Sequence, residues 1–123
     1  MSKRSIVHIE IPATNREAGA DFYAKLFGWE FQHMNEPAPY TMLQTGNVGI
    51  GMPDTSEMYG PNDVIVYVSS DDVTADLKQI EAMGGKRISD PFKVGEFGEM
   101  ALFTDPTGNK LALWKELQSG GGQ

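Results

Sequence analysis

The chain has 123 residues, 40% of them hydrophobic and 22% charged, with a formal net charge of −7 and no cysteine. Such a length and balance fit one soluble globular domain with room for a buried core. The missing thiols exclude disulfides, thiolate metal sites and cysteine nucleophiles, and the acidic balance argues against a nucleic-acid partner, which needs a basic face.

Alternation over residues 6–11 predicts a strand, with Ile9 and Ile11 on one face and His8 and Glu10 on the other. Pro12 ends it. Asn15 is placed to cap a helix running to about Phe27, whose apolar residues Ala18, Phe22, Leu26 and Phe27 fall at roughly helical spacing. Gly28 supplies the left-handed stop. Three short strands follow at 29–34, 40–45 and 48–52, the last two joined by Gly46-Asn47. Residues 53–62, rich in Pro, Gly, Asp and Ser, read as a linker. The order then repeats: a strand at 64–68, a helix capped by Asp71 or Asp72 and ending near Met83, and strands near 86–89, 100–104 and 111–114. Residues 90–99 form an asymmetric loop with two phenylalanines, either one lip of a pocket or an ordinary surface loop.

Residues 6–29 and 64–85 are therefore two copies of one unit, and Thr45-Gly46-Asn47 recurs as Thr107-Gly108-Asn109. The predicted fold class is α+β: two tandem β-α-β-β-β modules forming curved mixed sheets around a cleft. The expected organisation is a single domain over 1–123, with module one at about 5–53, a linker at about 53–62, module two at about 63–115 and a glycine-rich flexible tail at 116–123. No apolar run approaches membrane-spanning length, no basic amphipathic stretch suggests docking on a bilayer, and the first residues lead directly into a strand. The expectation is no membrane partner and a cytoplasmic location.

The double module, the helix end Phe22-Tyr-x-x-x-Phe-Gly-Trp29 and the closing Phe103-Thr-Asp-Pro-Thr-Gly-Asn-Lys-Leu-Ala-Leu-Trp114 together resemble the vicinal oxygen chelate superfamily. That group includes glyoxalase I, extradiol dioxygenases, fosfomycin-resistance enzymes and bleomycin-binding proteins. The resemblance covers about Ser5 to Lys115 and implies a homodimer. It says little about function, because this fold hosts unrelated chemistries.

In metal-dependent members each module offers one His, Glu or Gln from its first strand and one from its last. By that resemblance the first-strand position falls on His8, and the module offset carries it to Ile65. The last-strand position falls on Ala112, and the Thr-Gly-Asn echo carries it back to Ile50. One imidazole and three apolar side chains do not make a divalent-metal site, which needs at least three protein ligands for catalysis. His33 lies on another strand and matches no ligand position. No metal and no other cofactor are expected.

What remains is an apolar, aromatic cleft. Tyr67 and Trp114 lie two residues beyond Ile65 and Ala112, and Met52 two beyond Ile50, so strand periodicity places them on the concave face. The expected ligand contacts are His8, Ile50, Met52, Ile65, Tyr67, Ala112 and Trp114, suited to a flat or partly apolar small molecule. Trp114 has the alternative of packing in the core or an interface, and Tyr40 stands at a pocket rim. His8 with Glu10 is the candidate acid–base pair; the plain alternatives are a hydrogen-bonded strand histidine and a solvated strand edge. No phosphate loop or nucleophile triad is present, and Asp71, Asp72 and Asp76 suit a helix N-terminus. The expected function is metal-free binding of a small apolar or aromatic molecule. The alternative is a lyase, isomerase or dioxygenase using His8 with Glu10 or a metal site not recognised in the sequence.

Overall fold

Asn15 and Gly28 bracket the first helix as expected. In the computed structural model, which describes residues 3–117, the Asn15 side chain accepts from the Ala18 N–H, and Gly28 takes φ 76° while its N–H closes on the Ala24 carbonyl. The elements in chain order are β1 (Ile6–Glu10), α1 (Arg16–Phe27), β2 (Glu30–Met34), β3 (Tyr40–Gln44), β4 (Ile50–Pro53), β5 (Ile65–Ser69), α2 (Val73–Ala82), β6 (Lys86–Arg87), β7 (Phe92–Val94), β8 (Gly98–Thr104) and β9 (Lys110–Glu116). This is the α+β class, and the second unit repeats the β-α-β-β-β order of the first with one further short strand. Of the two possible caps for α2, Asp72 is the one that accepts from Ala75. β7 departs from expectation: the loop at 90–99 contains a short strand that pairs antiparallel with β8. The glycine-rich run near the C-terminus lies outside the described residues.

The described residues form two compact units, residues 8–65 and residues 3–7 with 66–117. In the first, strands follow the order β2-β3-β4-β1, with β1 parallel to β4 and the other pairs antiparallel. Ala20 of α1 packs on Leu43, Ile50, Met52 and Ala13, with Ile9, Ile11, Tyr23 and Trp29 around them. In the second, the order is β5-β9-β8-β6, β5 running parallel to β9. Val73 and Leu77 of α2 pack on Ala101, Phe103 and Leu113. Burying a side chain such as Leu77 completely stabilises the fold by about 2 kcal/mol. The first residues join this second unit because Arg4 forms a two-pronged ion pair with Asp76 and the Ser5 carbonyl accepts from Ser69 N–H.

The two hairpins use the same tripeptide differently. In the β3–β4 hairpin, Leu43 faces Ile50, which leaves Gly46-Asn47 as the turn between Thr45 and Val48. In the β8–β9 hairpin, Thr104 faces Lys110 and Asp105 N–H reaches the Asn109 carbonyl, so Thr107 stands at the apex. Aligning the tripeptides thus shifts one ladder against the other by an odd number of residues, and side chains at matched positions point to opposite faces. The Asp105 carboxylate holds the second turn. It accepts from the N–H groups of Asn109 and Thr107, and these bonds, the Asn109 backbone bond foremost, keep its pKa at about 2.

Candidate functional site

β1 turns Ile9 and Ile11 toward α1 and His8 and Glu10 to the opposite face, as the alternation predicts. Glu10 lies opposite Gly51 of β4, and Gly51 opposite Met42 of β3. The face away from α1 therefore carries His8 and Glu10, then Gly51, then Tyr40 and Met42, with Met34 of β2 opposite Tyr40. On this face the three polar side chains form one chain of hydrogen bonds. The Tyr40 hydroxyl donates to Glu10 Oε2 at 2.6 Å and lies 2.8 Å from His8 Nε2. With the phenol proton given to the carboxylate, its oxygen is left to accept from His8, so the imidazole carries its proton on Nε2.

Gly51 permits this arrangement. A Cβ placed there would stand 1.8 Å from the Tyr40 hydroxyl oxygen, so the ring lies directly over the glycine backbone. Glu10 is only 6% exposed and His8 and Tyr40 are half-buried. Burial lowers the His8 pKa to about 4, which keeps the ring neutral. Burial also raises that of Tyr40, helped by the charge of Glu10 and by the hydrogen bond to it.

In the other unit Tyr67, Ala112, Met100 and Trp114 share the face away from α2. Tyr67 faces Ala112 and Met100 faces Trp114 across their ladders. The rings of Tyr67 and Trp114 lie 6.2 Å apart, and the Tyr67 hydroxyl points to Met100 Sδ. Trp114 covers Gly98, where a Cβ would meet its ring at 2.2 Å, much as Tyr40 covers Gly51. Tyr67, Ala112 and Ile65 are buried and Trp114 is half-exposed.

Ile50 and Met52 are not on the predicted face. Both turn toward α1 and belong to its core, and the reason is the hairpin offset described above. The position that looks away from the helix is Gly51. Tyr40, expected at a pocket rim, instead joins His8 and Glu10 on this face, and the alternation of Tyr40 and Met42 against buried Thr41 and Leu43 is its signal in the sequence. His33 points to the α1 side, where its Nδ1 lies 2.6 Å from the Thr41 hydroxyl. That hydroxyl also accepts from Arg16, which pairs with Asp54. This second polar cluster ties the start of α1 to β3.

The donor set does not fit the divalent metal of metal-dependent relatives. The last-strand positions that look away from the helices are Gly51 in the first unit and Ala112 in the second, and neither offers a donor. His8 and Glu10 are both engaged by one phenol. Among the described residues no three His, Cys, Asp or Glu side chains stand together as a metal site would require.

The sequence profile of the Glyoxalase/Bleomycin resistance protein/Dioxygenase superfamily matches residues 5–113. The chain belongs to this family. It is 33% identical over 116 residues to the anthracycline biosynthesis protein DnrV of Streptomyces peucetius, covering 80% of this chain and 42% of that one. It is 34% identical over 113 residues to a glyoxylase-like domain-containing protein of Didymella fabae, covering 85% and 88%. The chain spans less than half the length of DnrV and of related mycobacterial and streptomycete proteins, 42–44%. Among solved structures, methylmalonyl-CoA epimerase of Streptomyces coelicolor superposes with a TM-score of 0.69 over 94% of this chain and 96% of that one, at 22% identity. That similarity concerns the fold. The described residues contain no helix long and apolar enough to cross a membrane.

Proposed function

We propose that this family member binds a small apolar or aromatic molecule without a divalent metal. The ligand rests on the β1–β4 face, with Tyr40 and His8 as its polar anchors and Met34 and Met42 beside them. One observation carries the reading: the Tyr40 hydroxyl joins His8 to Glu10, so the two donors nearest to a metal set are already used by a side chain of the protein. Thioethers next to a phenol and a neutral imidazole suit an adaptable, mostly apolar contact surface with few directional bonds.

The second reading, acid–base catalysis by His8 with Glu10, gains from the same hydrogen-bonded chain. The pKa values oppose it. A base near pKa 4 and a phenol pushed well above its ordinary range are both far from neutrality, where a proton-transferring pair is most effective. The similarity to an epimerase extends to the fold and adds no weight to catalysis here.

Elemental analysis of protein purified without chelator and then offered nickel, zinc or iron(II) is expected to give well under one equivalent. A full equivalent that disappears in His8→Ala would overturn the metal-free reading. Binding is followed by NMR with 2-naphthol as the probe. Shifts are expected on His8, Tyr40 and Met42, with affinity falling about 5- to 10-fold in Tyr40→Phe for the loss of one hydrogen bond. Shifts confined to other residues, or an unchanged affinity in the variant, would remove this face as the site.

A further inference from the structure

The first unit has a second concave surface, on the side of its sheet away from His8, Tyr40 and Glu10. A groove of about 420 Å³ lies there between the end of β1, helix α1 and the segment after β4. Ile11, Phe22 and Met52 give it apolar walls, and Asn15, Thr55 and Asn62 add polar groups. Ile11 and Met52 turn toward α1, which sets this groove on the opposite face from the hydrogen-bonded chain. Small-molecule sites have volumes of about 300–1,000 Å³, and this groove falls within that range.

The local backbone keeps the groove open. A Cβ at Gly19 would meet Met52 Cε at 2.6 Å, so any side chain at this point of α1 would press on the floor. Asn62 takes φ 76°, a left-handed conformation that few residues other than glycine adopt. Phe22 is 58% exposed, so most of its ring is open to an incoming molecule.

The lining defines what fits. None of the residues that line the groove is an Asp, Glu, Lys or Arg, although the chain carries −7. An ionised ligand would lose hydration there and find no counter-charge, whereas a neutral one avoids that cost. Aromatic and thioether surfaces suit a flat ring. Asn15 commits its side-chain oxygen to the Ala18 N–H, so what it has for a ligand is its amide N–H2, a donor. The positive end of the α1 dipole lies beside it and favours the same partner, an acceptor oxygen.

We propose that this groove is a second small-molecule site, taking a neutral aromatic ketone or lactone with its ring against Phe22 and Met52 and its carbonyl oxygen on Asn15. The two sites lie on opposite faces of one sheet, and one can fail while the other stands.

Coumarin is the probe, followed by NMR of the methionine methyl groups. For a ligand of this size the dissociation constant is expected on the order of 100 µM. The Met52 methyl is expected to shift, while Met34 and Met42, on the other face, stay in place. Gly19→Ala is expected to weaken binding at least about 10-fold by filling the floor. Asn15→Asp keeps a cap for α1 and removes the donor. It is expected to weaken coumarin about 5- to 10-fold and to leave indene, a ring system of similar shape with no acceptor, unchanged. Circular dichroism identifies a variant that fails to fold, and Asn15→Asp decides if Gly19→Ala is one. A Met52 methyl that stays unmoved up to the solubility limit of coumarin, or shifts confined to Met34 and Met42, would overturn the inference. So would an affinity that Asn15→Asp leaves intact, or lowers equally for indene.

Discussion

Burial holds the His8 imidazole neutral, with a pKa of about 4 against 6.5 for the free side chain. Between those two values the unfolded chain binds a proton that the folded one does not, so stability rises with pH across that window. Above pH 6.5 the full stability is present; below about 4 the whole penalty has been paid. With allowance for the partial exposure of the ring, the loss on acidification is on the order of 2 kcal/mol. Urea titrations at pH 7.5 and 4.5 are expected to show that difference between wild type and His8→Gln, the variant losing less. Identical pH dependences would mean that the ring is not buried as described. Tyr40→Phe is expected to cost about 1–2 kcal/mol at neutral pH, because it removes a donor to the buried Glu10 carboxylate. At this scale His8 and Glu10 were legible as a pair on one strand face. The hydroxyl between them was not, because it comes from another strand 30 residues from Glu10.

The hairpins decided which side chains face the site. Residues that cap helices are read locally, and Asn15, Gly28 and Asp72 behave as their types require. Facing in a strand depends instead on how the ladder is registered, and one residue of slip inverts it. That is why Ile50 and Met52, matched through the Thr-Gly-Asn echo, lie in the α1 core while Gly51 looks the other way. The short strand β7 has no signal in the sequence for a related reason: three residues carry no periodicity, and only their pairing with β8 defines them. The packing of Tyr40 on Gly51 gives a test at this level. Gly51→Ala is expected to destabilise by about 1–3 kcal/mol through overpacking. In a Tyr40→Ala background the same change should cost much less, and a double-mutant cycle in urea measures the difference. Additive costs would show that the ring does not lie over the glycine.

Over the whole molecule the −7 charge sets a background of self-repulsion. Screening it with salt, from about 20 to about 300 mM NaCl, is expected to raise Tm, as read by calorimetry; a Tm that falls would mean that surface ion pairs such as Arg16–Asp54 outweigh the repulsion. The order of elements, the helix limits and the family follow from patterns local to stretches of the chain. Hydrophobic periodicity, capping residues and turn residues act over a few positions and keep their meaning wherever the chain is placed. Folding of the whole chain is what sets Tyr40 between His8 and Glu10, turns Gly51 and not Ile50 toward them, and leaves Phe22 protruding beside a groove. Each of these depends on which strand pairs with which and in what register, and pairing between distant residues is settled by packing the whole fold.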